Sequence, residues 1–193
     1  MTRTVVLAST SRYRAELLRR LLDDFAQSAP GTDETALPDE LPAARALRLA
    51  VTKASAVAGK HPQALVIGSD QVAELDGRPL DKPGTAERAH AQLTRCSGRT
   101  VQFHTAVCLL DAQRATQRTH VDCTRVVFRP LSPAEIARYI EREQPLDCAG
   151  SFKCEALGIS LFERIDSIDP TALIGLPLIA LARVLRECGV PLP

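Results

Sequence analysis

The stretch ALVIGSDQV, residues 64–72, constrains this chain more than any other. Ala64–Ile67 is apolar without helical spacing and reads as a buried strand. Gly68–Asp70 reads as a break, after which a further strand runs into a turn at Asp76-Gly77. The β-branched run TVVLA, residues 4–8, is a second short buried strand. Helical patterns lie between the two. Leu17, Leu18, Leu21 and Leu22 recur at spacings of three and four within 11–22, and Ala46, Leu49, Ala50, Ala54 and Val57 make an apolar stripe along 42–58. A short strand at 25–29 and a Gly/Pro/Asp loop connect them.

The second half changes rhythm. A helix at 84–96 follows DKPGT, and then RTVQFHTAVCLLD and RTHVDCTRVVFRPL read as paired strands around a turn near 112–115. SPAEIARYIER carries a capping-box signature, with Ser132 as cap, Pro133 at the first helical position and Glu135 at the third. A loop of small and polar residues, CAGSFKCEALG, leads to a strand ISLFERI and a last helix at 176–188 starting near Pro177. Strand–helix alternation followed by a hairpin predicts an α/β fold with a mixed sheet flanked by helices. No repeat, linker or low-complexity segment divides residues 1–193, so one domain is expected.

Composition narrows the function classes. Formal net charge is +1 with both signs interspersed, so neither a basic nucleic-acid face nor an acidic tail is signalled. With no Trp, two Tyr and five Phe, stacking platforms for single-stranded nucleic acid are scarce. MTRTVVLAST holds one arginine and about five apolar residues, too few for a signal peptide core or a membrane span, and a cytoplasmic protein is expected. Cys96, Cys108, Cys123, Cys148, Cys154 and Cys188 show neither CxxC spacing nor pairing with close histidines, which leaves reduced, structural thiols.

Several segments carry candidate chemistry. LASTSRYRAELL, residues 7–18, joins a strand to a helix through three hydroxyl residues. Ser9, Thr10 and Ser11 either cap that helix or add donors for an anion, and Arg14 could make a bidentate phosphate contact. The glycines of a Walker or Rossmann loop are missing. Asp70 sits at the break of its strand, where open α/β sheets bind ligands; it is either a metal ligand or general base, or a turn aspartate bonded to nearby backbone. Asp33 and Glu34 offer carboxylates in a loop, and Lys53 and Lys82 are further cations. Each alone is unremarkable on a solvated surface. Together, hydroxyls, cations and carboxylates are what phosphoanhydride hydrolysis with a divalent ion requires, because charge builds on the transferring oxygens.

The ordered set LASTSRYRAELL, DE at 33–34, RLAVTKA, VIGSDQV, KPGT and CAGSFKCEALGISLFERIDSIDPTALIGLPL resembles the Maf family of nucleoside triphosphate pyrophosphatases over essentially the whole chain. The resemblance implies an elongated mixed sheet with a substrate cleft, similar to the inosine triphosphate pyrophosphatase architecture. It implies cleavage between the α and β phosphates with Mg or Mn. Asp70 would then be the proton acceptor and, with Glu34, the metal site, while Ser9, Arg14, Lys53 and Lys82 would hold the triphosphate. Tyr13, Gln71 and Glu155 occupy the positions that set base preference, and they resemble the branch preferring 7-methyl-GTP rather than the dTTP/UTP branch. A cationic 7-methylguanine suits an aromatic face at Tyr13, and a carboxylate at Glu155 can accept from the guanine N1–H and amine. Gln71 would contact the base or orient its loop. A nucleotide-binding regulator of cell division is the competing role, and related proteins suggest a homodimer. Three residues depart from the family pattern: Arg12 where proline is common, Tyr13 where tryptophan is, and Asp81 where glycine precedes the motif lysine.

Overall fold

In the computed structural model, which describes residues 3–193, the chain builds one mixed sheet. Its strands are β1 (Val5–Leu7), β2 (Ala26–Gln27), β3 (Leu65–Leu75), β4 (Arg78–Pro79), β5 (Thr100–Asp111), β6 (Thr116–Phe128) and β7 (Phe162–Asp166). They lie in the order β2-β1-β3-β5-β6-β7, with β4 on the edge of β3. The β2, β1 and β3 pairings are parallel, because helices α1 (Arg12–Leu18) and α2 (Pro42–Ala58) serve as crossovers, and the rest are antiparallel. The mixed α/β sheet expected from the sequence is therefore present. Helices α3 (Ala86–Cys96), α4 (Pro133–Glu143) and α5 (Leu178–Glu187) complete the layers.

One reading of the sequence is corrected at the centre of the sheet. β3 does not break at Gly68–Asp70; it continues to Leu75, paired with β5 from Leu65↔Asp111 to Glu74↔Gln102. Gly68 marks a close approach instead. A Cβ there would lie 2.1 Å from the Ala50 carbonyl oxygen, so the bare glycine lets α2 settle directly on the strand. Asp70 thus stands in mid-strand, not at a strand end.

The pleat of β3 sorts the core. Leu65 and Ile67 pack with Leu7, Leu17, Leu18, Leu181 and Leu185 beneath α1 and α5, whereas Ala73 and Leu75, on the same face, belong to a separate cluster with Phe103, Phe128, Leu93 and Ile136 under α3 and α4. Val66 and Val72 face the other way, onto Ala46, Ala50 and Ala54 of α2. Between the two clusters of the first face lie Ser69, Gln71 and Thr105, polar residues that fill a gap in the core.

Other boundaries shift for local reasons. α1 ends at Leu18 rather than at 22, because Arg20 and Leu21 bond back to Leu17 and Leu18 in tighter turns at 3.0 and 2.9 Å. The last strand begins at Phe162, since residues 157–161 form a 3-10 turn. The capping box at Ser132 and Glu135 is formed as the sequence predicts, with Ser132 N donating to Glu135 Oε2 at 2.8 Å. Among the described residues no helix is long and apolar enough to cross a membrane.

Candidate functional site

The site originates in an unequal pairing of β3. One edge is covered by β5 along its length, but the opposite edge meets β1 only at 65–67 and β4 only at 74–75. Ala8 N donates to Ile67 O, and Leu80 N to Ala73 O, both at 2.8 Å, closing the two ends. Between them the edge has no neighbouring strand among the described residues, and a cleft of about 730 Å³ opens against it. Main-chain groups of alternate residues point to the same edge, so those of Ser69 and Gln71, like the carbonyls of Ile67 and Ala73, face this gap. Ser9, Tyr13, Arg14, Glu34, Lys53, Asp70, Gln71, Lys82 and Glu155, to which the family resemblance assigns roles, all line this one cleft, whereas Asp33 does not and accepts from Thr35 instead.

At its floor the side chains of Asp70 and Lys53 meet. β3 turns Asp70 toward α2, and the Lys53 ammonium donates to Asp70 Oδ1 at 2.6 Å while lying 2.7 Å from Glu34 Oε1. Lys53 and Asp70 are 5% and 6% exposed, so this ion pair is shielded from water, whereas Glu34 reaches in from an exposed loop. Burial raises the Glu34 pKa, but the hydrogen bond and charge of Lys53, with the charges of Lys82 and Arg14, outweigh it and hold the carboxyl below its ordinary value. The Glu34 carbonyl accepts from the Arg45 guanidinium at 3.1 Å, which ties the loop to α2.

The turn at residues 9–14 divides its hydroxyls between two tasks. Ser11 caps α1 by accepting from Arg14 N at 3.4 Å, and Ser9 Oγ accepts from Ser11 N at 3.1 Å, keeping its own hydroxyl hydrogen for the cleft. Arg14 Nε donates to Gly175 O at 2.9 Å, which aims the guanidinium along the cleft wall. Burial lowers the Arg14 pKa and the carboxylates of Asp70 and Glu34 oppose that shift.

Gln71 lines the cleft and also bonds to the turn behind it. Its side-chain nitrogen lies 2.9 Å from Thr105 Oγ1 and 3.0 Å from the carbonyls of both Ala172 and Leu173, so it orients the turn that leads to Gly175. Ser69 Oγ, buried beside it, shares its hydrogen between Ala106 O at 2.8 Å and Gly175 O at 3.0 Å. Gly175 has φ +129, a conformation side chains rarely tolerate, and its carbonyl serves both Ser69 and Arg14. Sequence reasoning did not single out Arg45 and Gly175, which line the cleft, or Ser69 and Thr105, which are buried behind it. The one available signal was the glycine of IGLPL.

Tyr13 and Glu155 line the same cleft. Glu155 stands exposed on a loop that is pinned behind it: Lys153 N donates to the Tyr139 hydroxyl at 3.1 Å, and Lys153 Nζ donates to Glu143 O at 2.8 Å. Arg12 lies against Tyr13, its guanidinium carbon 4.8 Å from the ring centroid and one N–H donating to the phenolic oxygen at 2.8 Å. Cys148 and Cys154 also line the cleft, but burial, with help from Asp147 and Glu155, pushes each thiol up to about 12, so neither supplies a thiolate.

Among the described residues no group of three or more His, Cys, Asp or Glu side chains forms a ready metal site. The donor chemistry of Asp70 and Glu34 nonetheless fits a hard divalent ion that takes two protein carboxylates and completes its shell with phosphate oxygens and water.

A strand-edge cleft with Asp70 at its floor, Glu34 reaching in from a loop and Arg14, Arg45, Lys53 and Lys82 around them defines an α/β protein whose site has the cations that phosphate groups need. The chain belongs to the Maf family, whose profile, described as "Maf-like protein", matches residues 4–188. A protein of Xanthomonas oryzae pv. oryzae named "7-methyl-GTP pyrophosphatase" is 59% identical over 189 residues, covering 98% of each chain. Proteins of the same name from Aromatoleum aromaticum, covering 98% of this chain and 97% of theirs, and from Thiobacillus denitrificans, covering 98% and 96%, are each 56% identical. The solved structure of the Staphylococcus aureus Ham1 protein aligns at 17% identity and a TM-score of 0.47, covering 65% of this chain and 72% of that one.

Proposed function

We propose that this protein hydrolyses 7-methyl-GTP, or a related modified nucleoside triphosphate, to the monophosphate and pyrophosphate. The observation that carries the reading is the placement of Asp70, a shielded carboxylate on the strand with the open edge, in one cleft with the cations Arg14, Lys53 and Lys82 and with Tyr13 and Glu155. Asp70 accepts a proton from the attacking water. The water oxygen bonds to the phosphorus, the anhydride link between the α and β phosphates breaks, and pyrophosphate departs. Ser9, Arg14, Lys53 and Lys82 hold the triphosphate and neutralise the charge that grows on it.

Asp70 and Glu34 would hold Mg or Mn, which supplies Lewis-acid polarisation of phosphate oxygens when bound. Tyr13 stacks on the base, and its attraction for a cationic ring favours the 7-methylated form. Glu155 accepts from the guanine N1–H and exocyclic amine, donors that pyrimidines do not present in that pattern. Gln71 acts on specificity by holding the turn at 172–175. A cytoplasmic homodimer belongs to the same reading, and sedimentation of the purified protein tests the oligomer.

The test is a panel of 7-methyl-GTP, GTP, dTTP, UTP and CTP with Mg or Mn, analysed for pyrophosphate and monophosphate. The highest kcat/KM is expected for 7-methyl-GTP. Release of orthophosphate alone, or turnover of none of the panel, would overturn the proposal.

A further inference from the structure

We infer that the Lys53 ammonium is an internal counter-ion for the acidic pair Asp70–Glu34, alternating with a divalent cation, so that metal binding to the pair and phosphate binding by Lys53 are coupled. The inference rests on the reading above, in which those carboxylates hold a metal and Lys53 meets the triphosphate.

Geometry supplies the first part. Lys53 Nζ lies 2.6 Å from Asp70 Oδ1 and 2.7 Å from Glu34 Oε1, closer than a point charge needs to be to act on the pair at a distance. Its side chain is 6% exposed, so the carboxylates are its counter-charge in place of water. Two carboxylates present two negative charges to a cation, and the ammonium between them removes half of that attraction. Hard divalent ions are held in proportion to the number of charged oxygens facing them, and an adjacent ammonium repels them as well.

The surroundings supply the second part. The backbone at Lys53 cannot retreat, because α2 is pressed onto Gly68 through Ala50 and Ala54, and only the flexible four-carbon side chain can carry the charge elsewhere. Other cations of the cleft have different attachments. Arg14 donates from Nε to Gly175 O, and Arg45 bonds the carbonyl of Glu34, not its carboxylate. An ammonium has three donors, and a triphosphate in the cleft is a more strongly charged acceptor than either carboxylate. When Lys53 turns to the phosphates it restores the full charge of the acidic pair. Nucleotide therefore tightens metal binding, and metal tightens nucleotide binding by the same factor.

Titration of the full chain with Mn²⁺, read as free Mn²⁺ by electron paramagnetic resonance, tests this with no turnover involved. The proteins are wild type, Lys53→Met and Lys53→Arg, each with and without the α,β-methylene analogue of 7-methyl-GTP. Wild type should bind Mn²⁺ at least about tenfold more tightly with the analogue, since one unit charge is withdrawn from the acidic pair. Lys53→Met should bind Mn²⁺ alone at least about tenfold more tightly than wild type, and Lys53→Arg should bind it as weakly as wild type. Equal or weaker Mn²⁺ binding by Lys53→Met, or an arginine variant that behaves like the methionine one, overturns the inference. If Lys53→Met does not fold by circular dichroism, Lys53→Gln replaces it, and a wild-type Mn²⁺ affinity indifferent to the analogue overturns the inference by itself. Failure of the substrate reading appears elsewhere, as an inactive substrate panel with the Lys53→Met effect on Mn²⁺ intact.

Discussion

Asp70 and Gln71 are neighbours in β3 yet serve opposite faces of the sheet: one bonds Lys53 on α2, the other the carbonyls of Ala172 and Leu173. Both line one cleft because the strand edge between them is open. In the proposed mechanism this puts proton transfer and base selection back to back on adjacent residues, and the two should be separable by mutation.

Asp70→Asn keeps the size of the side chain and a hydrogen-bond acceptor for Lys53 but removes the proton acceptor. It should lower kcat by about 10³-fold, with nucleotide affinity in the absence of a divalent ion largely retained. Rapid-quench turnover and equilibrium binding of 7-methyl-GTP measure the two quantities. Retained turnover would take Asp70 out of the mechanism.

Glu155→Gln alters the rim alone, since the side chain is exposed and its loop is fixed through Lys153 and Tyr139. The kcat/KM ratio of 7-methyl-GTP over UTP should fall about 10- to 100-fold, the usual cost of losing one specifying contact. Thermal stability should be unchanged, which separates recognition from folding.

Arg12 places a cation against the ring that the cationic base would stack on. Removing it by Arg12→Ala should raise the preference for 7-methyl-GTP over GTP by about threefold, within the range of one exposed cation–π contact. An unchanged ratio would mean that base and guanidinium do not share the ring.

Gly68→Ala should destabilise the fold by about 3 kcal/mol, because its Cβ would lie 2.1 Å from Ala50 O and 2.7 Å from Ala54 N, backbone atoms that cannot turn aside. The same displacement carries Lys53 away from Asp70, so urea unfolding and kcat should deteriorate together.

Asp111 gives a pH prediction. The Arg3 guanidinium, with lesser help from the backbone N–H of Arg114, holds this carboxyl down to about 2. A carboxylate depressed by folding contributes stability above its unfolded pKa of about 4 and loses it as pH falls through the folded value. Asp111→Asn should therefore cost about 2 kcal/mol near neutrality. The gap to wild type in urea unfolding should close as the pH drops from about 4 to 2.

The parts legible in sequence are those written in local pattern. Leucine spacing located α1, although Leu21 and Leu22 fall beyond its end, and the Ser132–Glu135 capping box gave α4, because each signal spans only one or two helical turns. Gly68 misled, since a glycine after an apolar run signals a break and a close contact alike, and only the position of α2 decides between them. The back wall of the cleft could not be read. Gln71 meets Ala172 across a sequence separation of 101, and Ser69 meets Gly175 across 106, and no periodicity encodes such pairings.

The open edge of β3 also has to be protected. A bare strand edge invites another chain to dock as an extra strand, the first step toward aggregation. Here β1 and β4 stand as bookends, and the stretch from Ile67 to Ala73 measures about 20 Å at about 3.3 Å per residue. That is the length of an ordinary strand, so length alone does not close the gap; the charged side chains that line it, among them Arg14, Glu34, Lys53 and Asp70, make it a poor seat for an apolar strand and a suitable one for a charged small molecule.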